Sequence, residues 1–219
     1  MLEAICKRAF FHFEFPIRYR AKAPRIDGAL RDWDDSYLLP YLVEIEDDYA
    51  FADVYAAWND AGFYIAFHVP ERSGALKCDA TNWWKGDGVR VCIDTRDARD
   101  NRRATRFCHF FYALPMGGGR DKRQPIVNIH NMSRAKETPP GIDVSAIEVG
   151  VHIERHSWSL ELGIPASCLH GWSPGEHPRI GFCYKIKDSD HGSQHLIGDD
   201  TTGWNVDPSS WASATLERE

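Results

Sequence analysis

Long apolar runs are absent from this sequence. No segment approaches the roughly 20 consecutive apolar residues that a membrane-spanning helix needs. The opening stretch MLEAICKRAFFHFEFPIRYRAKAP is interrupted by charge too often for a secretory leader. Read as it stands, the chain is expected to be cytoplasmic; a start lying within a longer product would make it extracellular or periplasmic. An excess of positive charge is absent too. The formal net charge of −6 argues against nucleic acid or an anionic membrane as a partner, because both favour basic surfaces. Basic runs at 99–106 (RDNRRATR) and 120–123 (RDKR) read as solvated loop faces. The six cysteines, at 6, 78, 92, 108, 168 and 183, show no Cys-X-X-Cys or Cys/His metal spacing and read as buried free thiols. Helix punctuation is scarce, with one candidate turn at 165–172 (PASCLHGW), where Pro165 could start it and Gly171 stop it. Signature motifs of catalysis are missing as well. The glycines at 117–119 lack a following Lys-Ser/Thr and read as a flexible loop, and neither Gly-X-Ser-X-Gly nor His-Glu-X-X-His occurs.

Aromatic residues and two-residue periodicity are what the chain does have. Eight tryptophans, eight tyrosines and eleven phenylalanines suit a packed β-sandwich or a stacking surface. In FYIAFHV (63–69) Phe63, Ile65, Phe67 and Val69 share one face, and the preceding NDAG joins this run to DVYAAW (53–58) as a hairpin. GVRVCID (88–94) alternates in the same way, with Val89, Val91 and Ile93 on one face and Arg90, Cys92 and Asp94 on the other. Further strands are expected at 106–114, 126–132, 143–153, 157–164 and 179–187, with loops at 115–125 and 138–141. Many short strands with turn punctuation predict an all-β, antiparallel sandwich of immunoglobulin-like or jelly-roll-like form. Residues 1–22 read as an extension, packed on the domain or loosely attached, and 23–219 as the domain itself.

The stretch TNWWKGDGVRVCID (81–94) places Trp83 and Trp84 at the mouth of a turn, where an indole either folds into the core or serves as a flat platform. Ordered motifs bear on the choice. APRIDGALRDWDD (23–35), VYAAWNDAGFYIAFHVPE (54–71), WKGDGVRVCIDTRD (84–97), WSLELGIPASCL (158–169), RIGFCYKIKDSD (179–190) and DPSSWASATL (207–216) follow one another as do the landmarks of family 9 carbohydrate-binding modules. Together they cover roughly 23–217, and the chain resembles that family and its DOMON-like relatives. The resemblance implies a non-catalytic domain that clamps a sugar ring between two tryptophans, with calcium ions bracing loops. Its partners would be an oligo- or polysaccharide and a glycoside hydrolase on a separate polypeptide.

Carried over by position, Trp84 falls on the first clamp tryptophan and Trp204 near the second. A pyranose offers a C–H face to an indole and hydroxyls to directed polar groups. The polar candidates are Asp87, Arg90, Lys185 and Asn205. The family has glutamate at the position of Arg90; arginine donates hydrogen bonds and cannot accept them, so an anionic sugar such as a uronate would suit Arg90 and Lys185 better than a neutral one. Trp33, Trp58, Trp158, Trp172 and Trp211 read as core, and Trp83 as a shield beside Trp84. Asp94, Asp97, Asp188, Asp190 and Asp27 could supply oxygen ligands for calcium, with solvated loops as the plainer reading. Three other functions remain open: a protein-interaction or scaffold domain that has lost the sugar site, a hydrolase using Glu161 with Glu148 or Asp87 with Asp94, and a haem protein using Met116, Met132 or His130.

Overall fold

A computed structural model describes residues 6–46 and 48–218; residues 1–5 of the expected extension and residue 219 of the expected domain lie outside them. The strands are β1 (Glu14–Tyr19), β2 (Asp53–Asn59), β3 (Gly62–Val69), β4 (Gly88–Asp94), β5 (Cys108–Gly118), β6 (Gln124–Ile129), β7 (Glu148–Ile153), β8 (Trp158–Pro165), β9 (Arg179–Asp188), β10 (Gly192–His195) and β11 (Ala212–Glu217). Only short 3-10 turns accompany them, and the described residues contain no α-helix. Hydrogen bonding runs β6-β5-β4-β9-β11-β1-β2-β3-β8-β7, with β10 paired to β9. The path curls so that its ends, β6 and β7, come together, and the core lies between its two halves. The result is an all-β sandwich.

Alternation creates that core. Phe63, Ile65, Phe67 and Val69 of β3 are fully buried, as are Val89, Val91 and Ile93 of β4. Phe182 of β9 joins the halves, its ring 5.6 Å from Phe63 and 6.3 Å from Phe15. Trp58, Trp158 and Trp211 are core residues as expected, while Trp172 is half-buried against the core and Trp33, also half-buried, packs instead on Tyr37 and Tyr55.

Three features depart from the sequence reading. First, residues 14–19 are no appendage, because β1 lies within the sheet, parallel to both β11 and β2. The sandwich is therefore mixed and not purely antiparallel. Pro16 weakened the strand signal here, since it leaves one ladder donor missing. Second, β5 continues through Gly118, so most of the presumed 115–125 loop is a hairpin with β6, irregular between Leu114 and Gly118. Third, residues 144–146 form a 3-10 turn, and β7 begins at Glu148.

Buried polar groups hold the connections. Glu161 of β8 accepts from the backbone N–H groups of Asp27 and Gly28 and from Trp33 Nε1 at 2.7 Å. This fastens the 23–35 segment to the sheet. Gly28 has φ +82°, and a Cβ there would lie 2.3 Å from the Val151 carbonyl carbon, so only glycine fits. His109 of β5, 1% exposed, contacts Ile93 O through Nδ1 at 3.3 Å and accepts from His170 N through Nε2 at 2.8 Å. Those partners define a neutral ring with its proton on Nδ1.

Burial lowers the His109 pKa from 6.5 to about 4. The unfolded chain then binds the proton more readily than the fold, so stability is present above pH 6.5 and declines as pH falls toward 4. The effect is about 3 kcal/mol over that window. His109→Gln should flatten this part of the profile; urea unfolding midpoints for both proteins at neutral pH and near pH 4 will measure the difference.

Candidate functional site

The face of β4 and β9 turned away from the core carries the candidate site. Strand register places Asn128 of β6, Tyr112 of β5, Arg90 of β4, Lys185 of β9 and His195 of β10 in one row across five strands. One pleat step along the strands, Phe110, Cys92 and Cys183 form an apolar layer on the same face. In the other direction Lys187 is opposite Gly88, where a Cβ would lie 2.6 Å from Ala113 O. Small size at Gly88 thus keeps the turn close to the sheet.

Two segments close over this row and leave a cavity of about 430 Å³. Residues 83–84 supply one side. Trp83 stacks on Tyr112 with centroids 4.2 Å apart and planes 11° from parallel. Trp84 meets it edge-on at 5.8 Å and is 53% exposed. Trp204, only 5% exposed, supplies the other side, packed 5.8 Å from Phe110 and 5.7 Å from His195. Its carbonyl accepts from Trp211 Nε1 at 2.7 Å, which ties the loop to the start of β11.

Arg90 is 2% exposed and donates to Trp83 O at 2.8 Å and Gly88 O at 3.1 Å. Its guanidinium also lies 5.5 Å from the centre of the Trp83 ring. Burial lowers its pKa from 12.5 to about 10, so it stays charged at neutral pH. Lys185, 8% exposed, has Nζ 6.0 Å from the Trp204 ring and paired with Asp200. Asp200 also lies 3.2 Å from His195 Nε2. These hydrogen bonds hold its carboxyl well below the usual carboxylate range, whereas burial lowers the pKa of Lys185.

Trp84, Trp204, Arg90, Lys185 and Asn205 all line this one cavity. Asp87 does not. Fully buried, it accepts from Lys77 N at 2.6 Å and from Ser189 N, and it pairs with Arg72 at 3.2 Å. Arg72 Nε in turn lies 2.7 Å from Asp188, without the alignment of a hydrogen bond. Trp83 is more than a shield, because it forms part of the cavity wall. Sequence reasoning also passed over Phe110, Lys187 and Asp200, and considered His130 only as a haem ligand. Alternation would have found Lys187, two residues beyond Lys185, whereas nothing in GDDTTG singled out Asp200.

Among the described residues Asp200 is the only carboxylate lining the cavity. Three of the four acids in the proposed carboxylate pairs have other work: Glu161 and Asp87 bind backbone N–H groups, as does Asp94, which caps Arg96 and Ala98. The acids considered for calcium do not fit that role. Asp188 accepts from Trp158 Nε1 and faces Arg72, Asp190 accepts from Ser73 and Gly74, and Asp97 accepts from Ser213. Asp27 accepts from Ala29 N and pairs with Arg25. No three His, Cys, Asp or Glu residues among those described converge as a metal site. Met132 belongs to the hydrophobic core and Met116 to β5.

No protein-family model matches the chain, and no curated protein sequence matches it. Solved structures do. A family 9 carbohydrate-binding module from Caldicellulosiruptor kristjanssonii in complex with cellotriose aligns at TM-score 0.61 and 13% identity, covering 94% of each chain. A family 9 module from the same organism in complex with glucose aligns at 0.60 and 13%, over 93% of this chain and 96% of the other. A protein from Bacteroides uniformis, provisionally assigned to carbohydrate binding, aligns at 0.54 and 11%, over 94% and 99%.

Replacing Asp87 by alanine leaves buried Arg72 short of a partner and should cost about 3–5 kcal/mol of stability. Denaturant unfolding of Asp87→Ala beside Trp84→Ala should show a large loss in the first and almost none in the second.

Proposed function

We infer that this chain, which has the fold of family 9 carbohydrate-binding modules, binds carbohydrate and does no chemistry on it. One observation carries the reading: an exposed indole, Trp84, stands beside a row of fixed polar side chains in a single cavity. Its volume of about 430 Å³ falls within the range of small-molecule sites. Solved structures of the same fold hold cellotriose and glucose, which supports a saccharide as the ligand class here.

In this reading a sugar ring rests its C–H face on Trp84. Trp204 is too buried to be a free second wall and acts as the apolar floor, kept in place by Phe110 and His195. Arg90 and Lys185 donate to ring substituents, while the amide of exposed Asn205 both donates and accepts. Catalysis by a carboxylate pair would need two acids at the ligand, and Asp200 alone lines the cavity among the described residues.

Trp84→Ala should weaken binding of cellotriose by at least about tenfold, since it removes a stacking surface, with little change in melting temperature. Trp204→Ala should lose both affinity and stability. Isothermal titration together with thermal unfolding checks both; an unchanged affinity in Trp84→Ala would defeat the reading.

A further inference from the structure

We propose that the cavity recognises an acidic saccharide, a sugar ring whose carboxylate sits among Arg90, Lys185 and Lys187. This rests on the carbohydrate reading of the same cavity and specifies its ligand class.

The cation pairing is the first support. Arg90 and Lys185 are direct cross-strand partners on adjacent antiparallel strands, and both are buried. Like charges placed opposite each other destabilise a sheet, and burial makes the repulsion worse. A purely structural site would place apolar or opposite-charge residues there. The local surplus cannot reflect a generally basic chain, because the protein carries a net charge of −6.

Charge balance within the cavity is the second support. Among the described residues lining the cavity, three basic side chains, Arg90, Lys185 and Lys187, face one carboxylate, Asp200. The side-chain hydrogen bonds of Arg90 go to carbonyl oxygens, which offer no net charge. Among the described residues neither Arg90 nor Lys187 forms an ion pair. Asp200 already serves both Lys185 and His195, and its side chain is 59% exposed. Such an exposed carboxylate can turn into water at little desolvation cost, so an incoming carboxylate can share or take over its partners.

Hydrogen-bond polarity is the third. Sugar hydroxyls both donate and accept, and a neutral ring is best met by a mixture of donors and acceptors. Arginine and lysine only donate, and a carboxylate only accepts. The charged wall is thus matched to an anion, while Trp84 supplies the surface for the ring.

The test titrates trigalacturonate and a glucuronate-substituted xylotriose, the methyl ester of each, and cellotriose. The proteins are wild type, Lys187→Gln and Asp200→Asn, each confirmed as folded by circular dichroism. At low salt at least one acid should bind about tenfold or more tightly than its ester, and the gap should narrow as salt rises. Lys187→Gln should weaken that acid severalfold and its ester by much less, so that the gap between them narrows. Asp200→Asn should strengthen it severalfold, a gain that damage to the fold cannot mimic. Equal affinity for acid and ester, or binding of cellotriose alone, overturns the acidic ligand and leaves the carbohydrate reading standing. An acid preference insensitive to both substitutions places the anion elsewhere and overturns the proposal. Absence of binding by all five probes overturns both.

Discussion

The register of β4 against β9 is the constraint from which the rest of the molecule follows. It sets Val91 beside Tyr184 and Ile93 beside Phe182 on the core side, and Arg90 beside Lys185 on the other. A slip of one residue would send the arginine into the core and the valines into the cavity. Arg72 guards against that slip. Its guanidinium spans Asp87, just before β4, and Asp188, the last residue of β9, all three buried. One cation thus pins the two strands together at the end beside the cavity.

Carboxylates serve the loops in a similar way. Glu161 gathers the 23–35 segment, Asp190 receives the N–H groups of Ser73 and Gly74, and Asp94 caps the turn after β4. Loops in an all-β domain leave many backbone donors without ladder partners, and an ionised acceptor can take several at once. Most of the acids that resemble catalytic or metal-binding candidates are spent in this role. Among the described residues the cavity itself is left with basic and aromatic groups, Asn205 and the carboxylate of Asp200.

Much of this was legible in the residues, and for a physical reason. Period two is a local property, so the two faces of β3 and β4 could be assigned with no knowledge of their partners. Arg90 was therefore placed on the face of β4 turned away from the core, whereas Trp84 and Trp204 were brought together by the resemblance to family 9 modules and not by periodicity. Asp87 was misplaced because it lies outside the alternating run, where nothing local says whether a carboxylate turns toward ligand or toward buried N–H groups. Asp200 and β1 were missed on the same principle. The partners of Asp200 lie on β9 and β10, and β1 pairs along most of its length with β11, nearly two hundred residues away. Trp204 lines the same cavity as Trp84, but its depth could not be read from the sequence, since it depends on packing against Phe110.

The position of β1 also bears on how the protein is made. One half of the hydrogen-bonded path runs from β6 to β11 and the other from β1 to β7, and the β1–β11 pair is the seam between them. While the chain is still emerging from the ribosome, β1 can lie against β2, but its opposite edge stays bare until residues 212–217 have cleared the exit tunnel. The nascent protein therefore carries an open strand edge from the emergence of β1 until that of β11, a period in which another β-rich chain or a chaperone has access to it.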